Sequence, residues 1–352
     1  MMLYELYLNN RFMVNPPTIK EIAKKLNIST STVSRALHDH QRINILTRIR
    51  VQKLARELDY EPNQKAIFFQ QRKTFTIGAI VPSLSEFYFS TAISAIENTS
   101  IKHKYSVLIG QSHDNEDREK HIVECVMNQR IDGLIISVAK STTNYEHFDM
   151  LKRYDVPVVF FDRIPNLDDI HYVACNVETG TTQAVKYLLR NGHRTIGMLN
   201  GPEQLYSCHQ RVDGYRKALE AHPLKFDSNL IASSDLTREG TEKAMAELMN
   251  LKKKPTAVLC FNDNVALDAT QYACRMKLRI NKDISFVSFS NQPMINYSAF
   301  PPIATIEQFP YQQAQKATEV LLDLLSGGQE AGTRPFKKIT VESQLAIHKQ
   351  SK

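Results

Sequence analysis

The polar segment TSTVSRAL, residues 30–37, has side chains that suit the reading of DNA bases. Its apolar residues recur at helical spacing, which leaves four polar side chains outward: Thr30, Ser31, Ser34 and Arg35. Arginine can pair bidentately with guanine, and serine and threonine hydroxyls can donate to or accept from several bases. Side chains at the start of a recognition helix reach base edges in the major groove. The segment therefore favours a DNA-reading helix, although the solvated face of a three-helix interaction module would have the same pattern.

Three short helices are expected to position this segment. Thr18 followed by Glu21 is a capping box, which begins the first helix. Ser29 can cap the second helix and Thr47 the third. A helix, a turn of about three residues and a second helix form the helix-turn-helix unit. The spacing therefore predicts a helix-turn-helix domain over residues 18–60.

The excess positive charge of the chain lies in the same region. The formal net charge is +7, and residues 1–74 contain 13 Lys+Arg against 6 Asp+Glu, so the rest of the chain is neutral. A small basic unit joined to a large neutral one points to nucleic acid or another polyanion. Charge alone leaves open a basic face that is merely solvated.

The segment that follows, residues 61–74, is a basic linker with an apolar run at Ala66-Ile67-Phe68-Phe69. Such a run is costly to leave in water. One solution is a helix whose apolar residue wedges between base pairs in the minor groove and kinks the duplex. The alternative is that Phe68 and Phe69 pack on the larger domain or across a dimer.

From Phe75 onward short apolar runs alternate with amphipathic stretches of about a dozen residues. Strands that alternate with helices imply parallel sheets covered on both faces. The length of this region predicts two such lobes, each a doubly wound α/β sheet. The runs expected as strands are Thr76–Val81, Ser106–Ile109, Gly133–Ser137, Val156–Asp162, Thr195–Leu199, Ala257–Phe261 and Ser285–Phe289.

Several classes of protein are disfavoured by what the chain lacks. No apolar run approaches the ~18–20 residues of a membrane helix, and the N-terminus does not read as a signal peptide. The five cysteines are odd in number and include no CxxC, which fits reduced thiols in the cytoplasm. No phosphate loop, dinucleotide fingerprint or catalytic motif is present, so we expect no enzyme, no metal and no cofactor.

An ordered series of segments resembles the lactose/galactose repressor (LacI/GalR) family of bacterial transcription regulators. The series includes TIKEIAKKLNISTSTVSRAL (18–37), TIGAIVP (76–82), RVDGYRKAL (211–219) and PPIATIEQ (301–308), and the likeness covers about residues 18–350. The resemblance implies an N-terminal DNA-binding headpiece, a hinge helix and a two-lobed effector domain similar to periplasmic sugar-binding proteins.

The resemblance also implies the boundaries of the domains. They are an N-terminal extension at 1–17, the helix-turn-helix domain at 18–60, the hinge helix and linker at 61–74, and an effector-binding and dimerisation domain at 75–352. Within the last, lobe 1 is expected at about 75–175 and 303–334, and lobe 2 at about 176–302 and 335–352.

The resemblance also implies two sets of site residues. Those expected to contact DNA are Thr18, Ser29, Thr30, Ser31, Thr32, Ser34, Arg35, Asn63, Ala66 and Phe69. Those expected to contact an effector between the lobes are Tyr88, Phe89, Asp162, Ser207, Arg211, Asn262 and Ser290. The chain departs from the family at Phe69, where leucine is usual, and at Ser290, where aspartate is usual.

Taken together, these features predict a cytoplasmic, nucleoid-associated bacterial regulator, most simply a repressor. We expect a homodimer on double-stranded operator DNA, with no membrane partner, controlled by a sugar-like or nucleobase-like effector. No heptad-bearing helix follows the last strand, so we expect no tetramer. The alternative is a solute-binding protein without a DNA role.

Overall fold

The computed structural model of the chain describes residues 17–60, 73–327 and 335–348. The chain divides between Thr74 and Phe75 into two compact units. The predicted DNA contacts at Asn63, Ala66 and Phe69 lie outside the described residues.

The first unit is a three-helix domain, as predicted, with helices α1 (Ile19–Leu26), α2 (Thr30–Leu37) and α3 (Ile45–Glu57). The backbone N–H of Thr18 donates to the Glu21 carboxylate at 3.0 Å, which is the return bond of the capping box. Six buried apolar side chains from the three helices form the core: Ile22, Ala23, Val33, Ala36, Val51 and Ala55.

The expected start of the third helix at Thr47 is wrong. Helix α3 begins at Ile45 because Asn44 caps it, with its Oδ1 accepting from the Leu46 N–H at 2.8 Å. Asparagine caps as well as threonine, and the apolar pair Ile45-Leu46 concealed this start in the sequence.

The second unit contains two six-stranded sheets. The first sheet has the order β11-β5-β4-β3-β1-β2, and all its pairs are parallel. Its strands are β1 (Thr76–Val81), β2 (Ser106–Gln111), β3 (Gly133–Ile136), β4 (Val158–Phe161), β5 (His171–Cys175) and β11 (Lys338–Val341). Alternate residues of β1 point to opposite faces of the sheet. Ile77 and Ala79 belong to one apolar cluster and Ile80 belongs to another, so both faces are covered.

The second sheet has the order β12-β10-β9-β8-β6-β7. Its strands are β6 (Ile196–Asn200), β7 (Ile231–Ser233), β8 (Ala257–Cys260), β9 (Ser285–Phe289), β10 (Ala304–Glu307) and β12 (Gln344–Ile347). Every pair is parallel except β10 with β12. Here too an apolar cluster packs on each face.

Helices connect the strands and cover the sheets. They are α4 (Phe87–Lys102), α5 (Glu116–Asn128), α6 (Asp149–Arg153), α7 (Val177–Arg190), α8 (Tyr206–Glu220), α9 (Arg238–Met249), α10 (Asp263–Arg275) and α11 (Pro310–Ser326). The predicted two-lobed α/β architecture is thereby confirmed.

The expected lobe boundaries differ from the structure at two places. Strand β10, assigned from sequence to lobe 1, pairs with β9 in the second sheet, so the chain returns to lobe 1 only with α11. Strand β11, assigned to lobe 2, pairs with β5 in the first sheet. The chain therefore crosses between the lobes after β5, between β10 and α11, and between β11 and β12. Sequence spacing does not show which edge a short strand joins.

Candidate DNA interface and effector cleft

Helix α2 presents four of the predicted DNA-contacting side chains on its polar face. Thr30, Ser31 and Arg35 are exposed and Ser34 is half-buried, while Val33 and Ala36 on the opposite side are buried. The helix therefore separates a core face from a polar face that begins at its N-terminus, where a recognition helix carries its base contacts.

Ser29 caps α2 through its hydroxyl, which accepts from the Thr32 N–H at 3.1 Å. The same oxygen lies 2.8 Å from the hydroxyls of Ser31 and of Thr32. These three hydroxyls form one exposed cluster at the helix N-terminus, where the orphan N–H groups and the dipole favour a phosphate. Thr18 lies at the N-terminus of α1 and is also exposed.

All seven predicted effector residues line one cleft between the two lobes. Asp162 and Ser290 directly follow strands β4 and β9, and Asn262 is the second residue after strand β8. The others stand near the N-termini of α4 (Tyr88, Phe89) and α8 (Ser207, Arg211). The cleft thus lies at the carboxyl ends of parallel strands, the usual ligand position in open α/β sheets.

Sequence reasoning missed five further polar residues of the cleft wall: Glu86, Arg163, Tyr206, Gln210 and Gln308. Arg163 could have been found because it follows Asp162 at the end of a predicted strand. Gln308 could not, because the strand before it had been placed in the other lobe. The free interior is about 50 Å³, more than one water requires.

Arg211 dominates the lobe 2 side of the cleft. Its side chain is sandwiched between two rings, with the guanidinium carbon 4.2 Å from the Phe261 centroid and 4.5 Å from that of Phe289. The residue is 4% exposed, and desolvation lowers the pKa of the guanidinium. Its Nη2 donates to the Phe261 carbonyl at a long 3.4 Å, whereas Nε and Nη1 have no acceptor among the described residues. Two donors of a buried cation therefore remain for an acceptor in the cleft.

The lobe 1 side centres on Asp162, which is half-buried. Desolvation raises the pKa of its carboxyl. The nearby Arg163 and hydrogen bonds from Tyr88 and Ser137 act in the opposite direction and lower this pKa, but they do not cancel the rise. Arg163 forms a buried ion pair with Asp114. A carboxyl with this environment can accept from ligand hydroxyl or N–H groups.

Asn262 and Ser290 complete the lobe 2 wall. The Oδ1 of Asn262 accepts from the Val265 N–H at 2.9 Å and caps α10, which leaves its amide Nδ2 as a donor. Ser290 is 8% exposed and carries a hydroxyl at this wall.

No group of three or more histidine, cysteine, aspartate or glutamate side chains could hold a metal ion within residues 17–60, 73–327 and 335–348. In the same part of the chain, no helix is both long and apolar enough to cross a membrane.

A helix-turn-helix unit joined to a two-lobed ligand-binding unit defines a DNA-binding transcriptional regulator under small-molecule control. The chain belongs to the LacI family. Residues 18–63 match the model described as bacterial regulatory proteins, lacI family. Residues 74–338 match the model for periplasmic binding proteins and the sugar binding domain of LacI family. The DNA-binding match favours the regulator over the solute-binding alternative.

Among its curated relatives is the HTH-type transcriptional repressor CytR of Escherichia coli (strain K12). It is 34% identical over 310 residues, which cover 88% of this chain and 90% of CytR. The repressor PurR of Aliivibrio salmonicida (strain LFI1238) is 30% identical over 87% of this chain and 91% of PurR. Both relatives are transcriptional repressors, not enzymes.

The solved structures agree with this assignment. The Lac repressor dimer bound to operator and the anti-inducer ONPF superimposes with a TM-score of 0.77 at 25% identity, covering 94% of this chain and 98% of that one. The transcriptional regulator CelR in its cellobiose complex superimposes with a TM-score of 0.71 at 22% identity, covering 94% of this chain and 98% of that one. At this identity the likeness shows the fold alone.

Proposed function

We propose that the cleft binds a sugar-like or nucleobase-like effector whose occupancy sets operator affinity. The observation that carries this proposal is the buried Arg211, whose Nε and Nη1 have no acceptor within residues 17–60, 73–327 and 335–348. Buried polar groups in proteins are nearly always hydrogen-bonded, and a buried charge is costly unless it is paired. A ligand with hydroxyl or carbonyl oxygens supplies the missing acceptors.

Other residues of the cleft complement the same ligand. The Asp162 carboxylate accepts from ligand hydroxyl or N–H groups, while Asn262 and Ser290 offer neutral donors. Tyr88 and Phe89 supply ring surface, and the Tyr88 hydroxyl is held by Gln313, whose Nε2 donates to it at 2.8 Å. Serine in place of aspartate at position 290 removes a charged acceptor, so this wall selects ligand hydroxyl groups less strongly than a wall with aspartate would.

On the DNA side, Thr30, Ser31 and Arg35 read base edges in the major groove. A second group fixes the register of the helix on the duplex through phosphates: Thr18, Ser29, Thr32 and Ser34. The linker residues Asn63, Ala66 and Phe69 contact the minor groove, with Phe69 as the wedge.

Communication between the two sites is a population shift. A ligand that contacts both walls favours one lobe–lobe closure, and it shifts the equilibrium only by its differential affinity for the two closures. Lys140 of lobe 1 already reaches across, with its Nζ donating to the Asp235 carbonyl of lobe 2 at 2.7 Å. Closure in a dimer changes the spacing of the two hinge segments and thereby operator affinity.

The second unit also offers a surface for the homodimer. Tyr297 is 83% exposed and Met294 68%, on a short 3₁₀ helix of lobe 2, and Phe300 follows them. Beside them lies a concave site of about 390 Å³ that includes Leu267, Cys274 and Phe300. Exposed apolar patches of this kind mark protein interaction sites. A twofold contact would place two headpieces on a palindrome.

The experiment that tests the proposal has two steps. Purified full-length protein is screened by thermal shift against sugars, nucleosides and nucleobases, because a ligand that binds the folded state raises Tm. Gel-shift titration on its own upstream DNA then measures operator affinity with and without each hit. We expect the cytoplasmic, non-enzymatic regulator to leave its ligand unchanged, which chromatography of the recovered ligand checks.

A further inference from the structure

The segment that carries Ser290 has an unusual backbone. Ser290 has φ +102° and Asn291 has φ +53°, both in the left-handed region that residues with a Cβ atom rarely adopt. Residues held in such conformations persist only where the surroundings fix them, and they cluster at binding sites. The cleft wall at Ser290 therefore needs an anchor.

The carboxylate of Asp263 is that anchor. Its Oδ1 accepts from the Ser288 hydroxyl, and its Oδ2 accepts from the Gln292 N–H at 2.7 Å. Ser288 and Gln292 flank Ser290 by two residues on either side. One carboxylate thus holds both ends of the segment that carries the strained residue.

Asp263 is itself fixed and does not line the cleft. It is 1% exposed, and it is the first residue of α10, directly after the cleft residue Asn262. Because a buried carboxylate is costly unless it is hydrogen-bonded, this residue type at this position needs both bonds. The covalent link to Asn262 and the two hydrogen bonds around Ser290 join the two cleft residues into one unit.

A second set of bonds holds the same segment from strand β10. The Ser290 N–H donates to the Ile306 carbonyl at 3.0 Å, and Asn291 Nδ2 donates to Glu307 at 2.9 Å. Without Asp263 the segment would remain attached to β10 but lose its tie to α10. The distance between Asn262 and Ser290 would then be held only by the pairing of β8 with β9 and by the bonds to β10.

We propose that Asp263 is a positioning residue for effector binding, which sets Ser290 relative to Asn262 before the ligand arrives. The inference rests on the proposed function of the cleft. Preorganisation of this kind increases affinity by reducing the ordering that binding must impose.

The first arm of the test needs no ligand. Hydrogen exchange of full-length D263A is compared with the parent chain, and we expect faster exchange of the Gln292 amide by at least about tenfold, with β1 unchanged, because local opening determines exchange. D263N should retain protection, since its amide can accept from Gln292 and donate to the Ser288 hydroxyl. Unchanged exchange in D263A would overturn the proposal.

T270A is the matched control for stability. Thr270 is buried on the same helix, and its hydroxyl donates to the Ala266 carbonyl at 2.7 Å. It makes no bond to Ser288 or Gln292, the two partners of the Asp263 carboxylate. This variant should lose global stability without faster exchange at Gln292. Equal acceleration in T270A and D263A would mean that Asp263 acts only through stability.

The second arm measures calorimetric binding of adenosine and of cellobiose, as nucleoside and sugar probes. If either binds, D263A should weaken it at least about tenfold, D263N should restore it, and the D263A and S290A effects should be non-additive because coupled residues share their energy. Additive effects would contradict the positioning role. If neither probe binds the parent, the exchange arm alone decides on Asp263, and the thermal-shift screen of sugars, nucleosides and nucleobases decides on the effector class.

Discussion

Replacing Arg211 with methionine should stabilise the effector-free protein while removing its response to ligand. Arginine and methionine side chains are both long and unbranched, so methionine keeps contact with the Phe261 and Phe289 rings. The substitution removes the buried Nε and Nη1 donors that have no acceptor among the described residues. Stability and function should therefore change in opposite directions.

The magnitude follows from two opposed contributions. Each buried donor left without a partner costs about 1–3 kcal/mol, and there are two on Arg211. The contacts of the guanidinium with the two rings return about 0.5–2 kcal/mol each, and methionine sulfur recovers part of that through its own ring contacts. We expect a net gain of about 1–2 kcal/mol in the free energy of unfolding, which for a domain of this size raises Tm by roughly 2–4 °C.

Urea unfolding and calorimetry of the ligand-free chain measure this gain. Arg216→Met on the same helix is the control, because Arg216 is exposed and stacks on Phe226 at 4.7 Å. We expect that control to change the free energy of unfolding by less than about 0.5 kcal/mol. A loss of about 1 kcal/mol or more in R211M, the size of one ordinary hydrogen bond, would refute the reasoning. It would show that the protein itself satisfies the guanidinium.

Four further predictions concern other residues. Arg35→Ala should weaken operator binding by about 1–3 kcal/mol with much less effect on random DNA; equal losses in a gel shift would make Arg35 a phosphate contact. Phe69→Ala should reduce operator bending and affinity while the fold stays intact; full bending in a circular-permutation assay would exclude the wedge. Tyr297→Asp should convert a dimer, about twice 40.2 kDa by light scattering, to monomer; an unchanged mass would place the contact elsewhere. Burial raises the pKa of Asp263 from 3.8 to about 6, so the folded state binds its proton more tightly and stability from this group falls as pH rises through that window. The unfolding free energy of D263N relative to the parent should therefore rise by up to about 3 kcal/mol between roughly pH 4 and pH 7; a flat difference in urea melts would contradict the shift.

The secondary-structure elements that repeat along the chain or follow helical spacing were mostly predictable from the sequence. The start of α1 at Thr18, the start of α2 at Ser29 and the early strands of lobe 1 were predictable because caps and apolar runs are local signals. The start of α3 was missed, since two apolar residues followed its cap. Strands β10 and β11 were placed in the wrong lobes because only tertiary pairing decides which sheet a short strand joins.

The features of the cleft also divide into those that the sequence predicted and those that it did not. The resemblance named seven residues that the structure brings to one cleft, although their contact with a ligand stays a prediction. The position of Arg211 between two rings and the two hydrogen bonds by which Asp263 holds the segment around Ser290 were not visible in the sequence. Both depend on side chains 25 or more positions apart or on strained backbone, for which spacing offers no signal.

The most direct test of effector control is an operator titration of the parent chain and R211M, by fluorescence anisotropy, with and without the ligand that raises Tm most. We expect ligand to change the operator Kd of the parent at least about tenfold, the scale of an allosteric coupling of 1–3 kcal/mol, and to leave that of R211M unchanged. Equal operator affinity of the parent chain with and without saturating ligand would contradict effector control through the cleft.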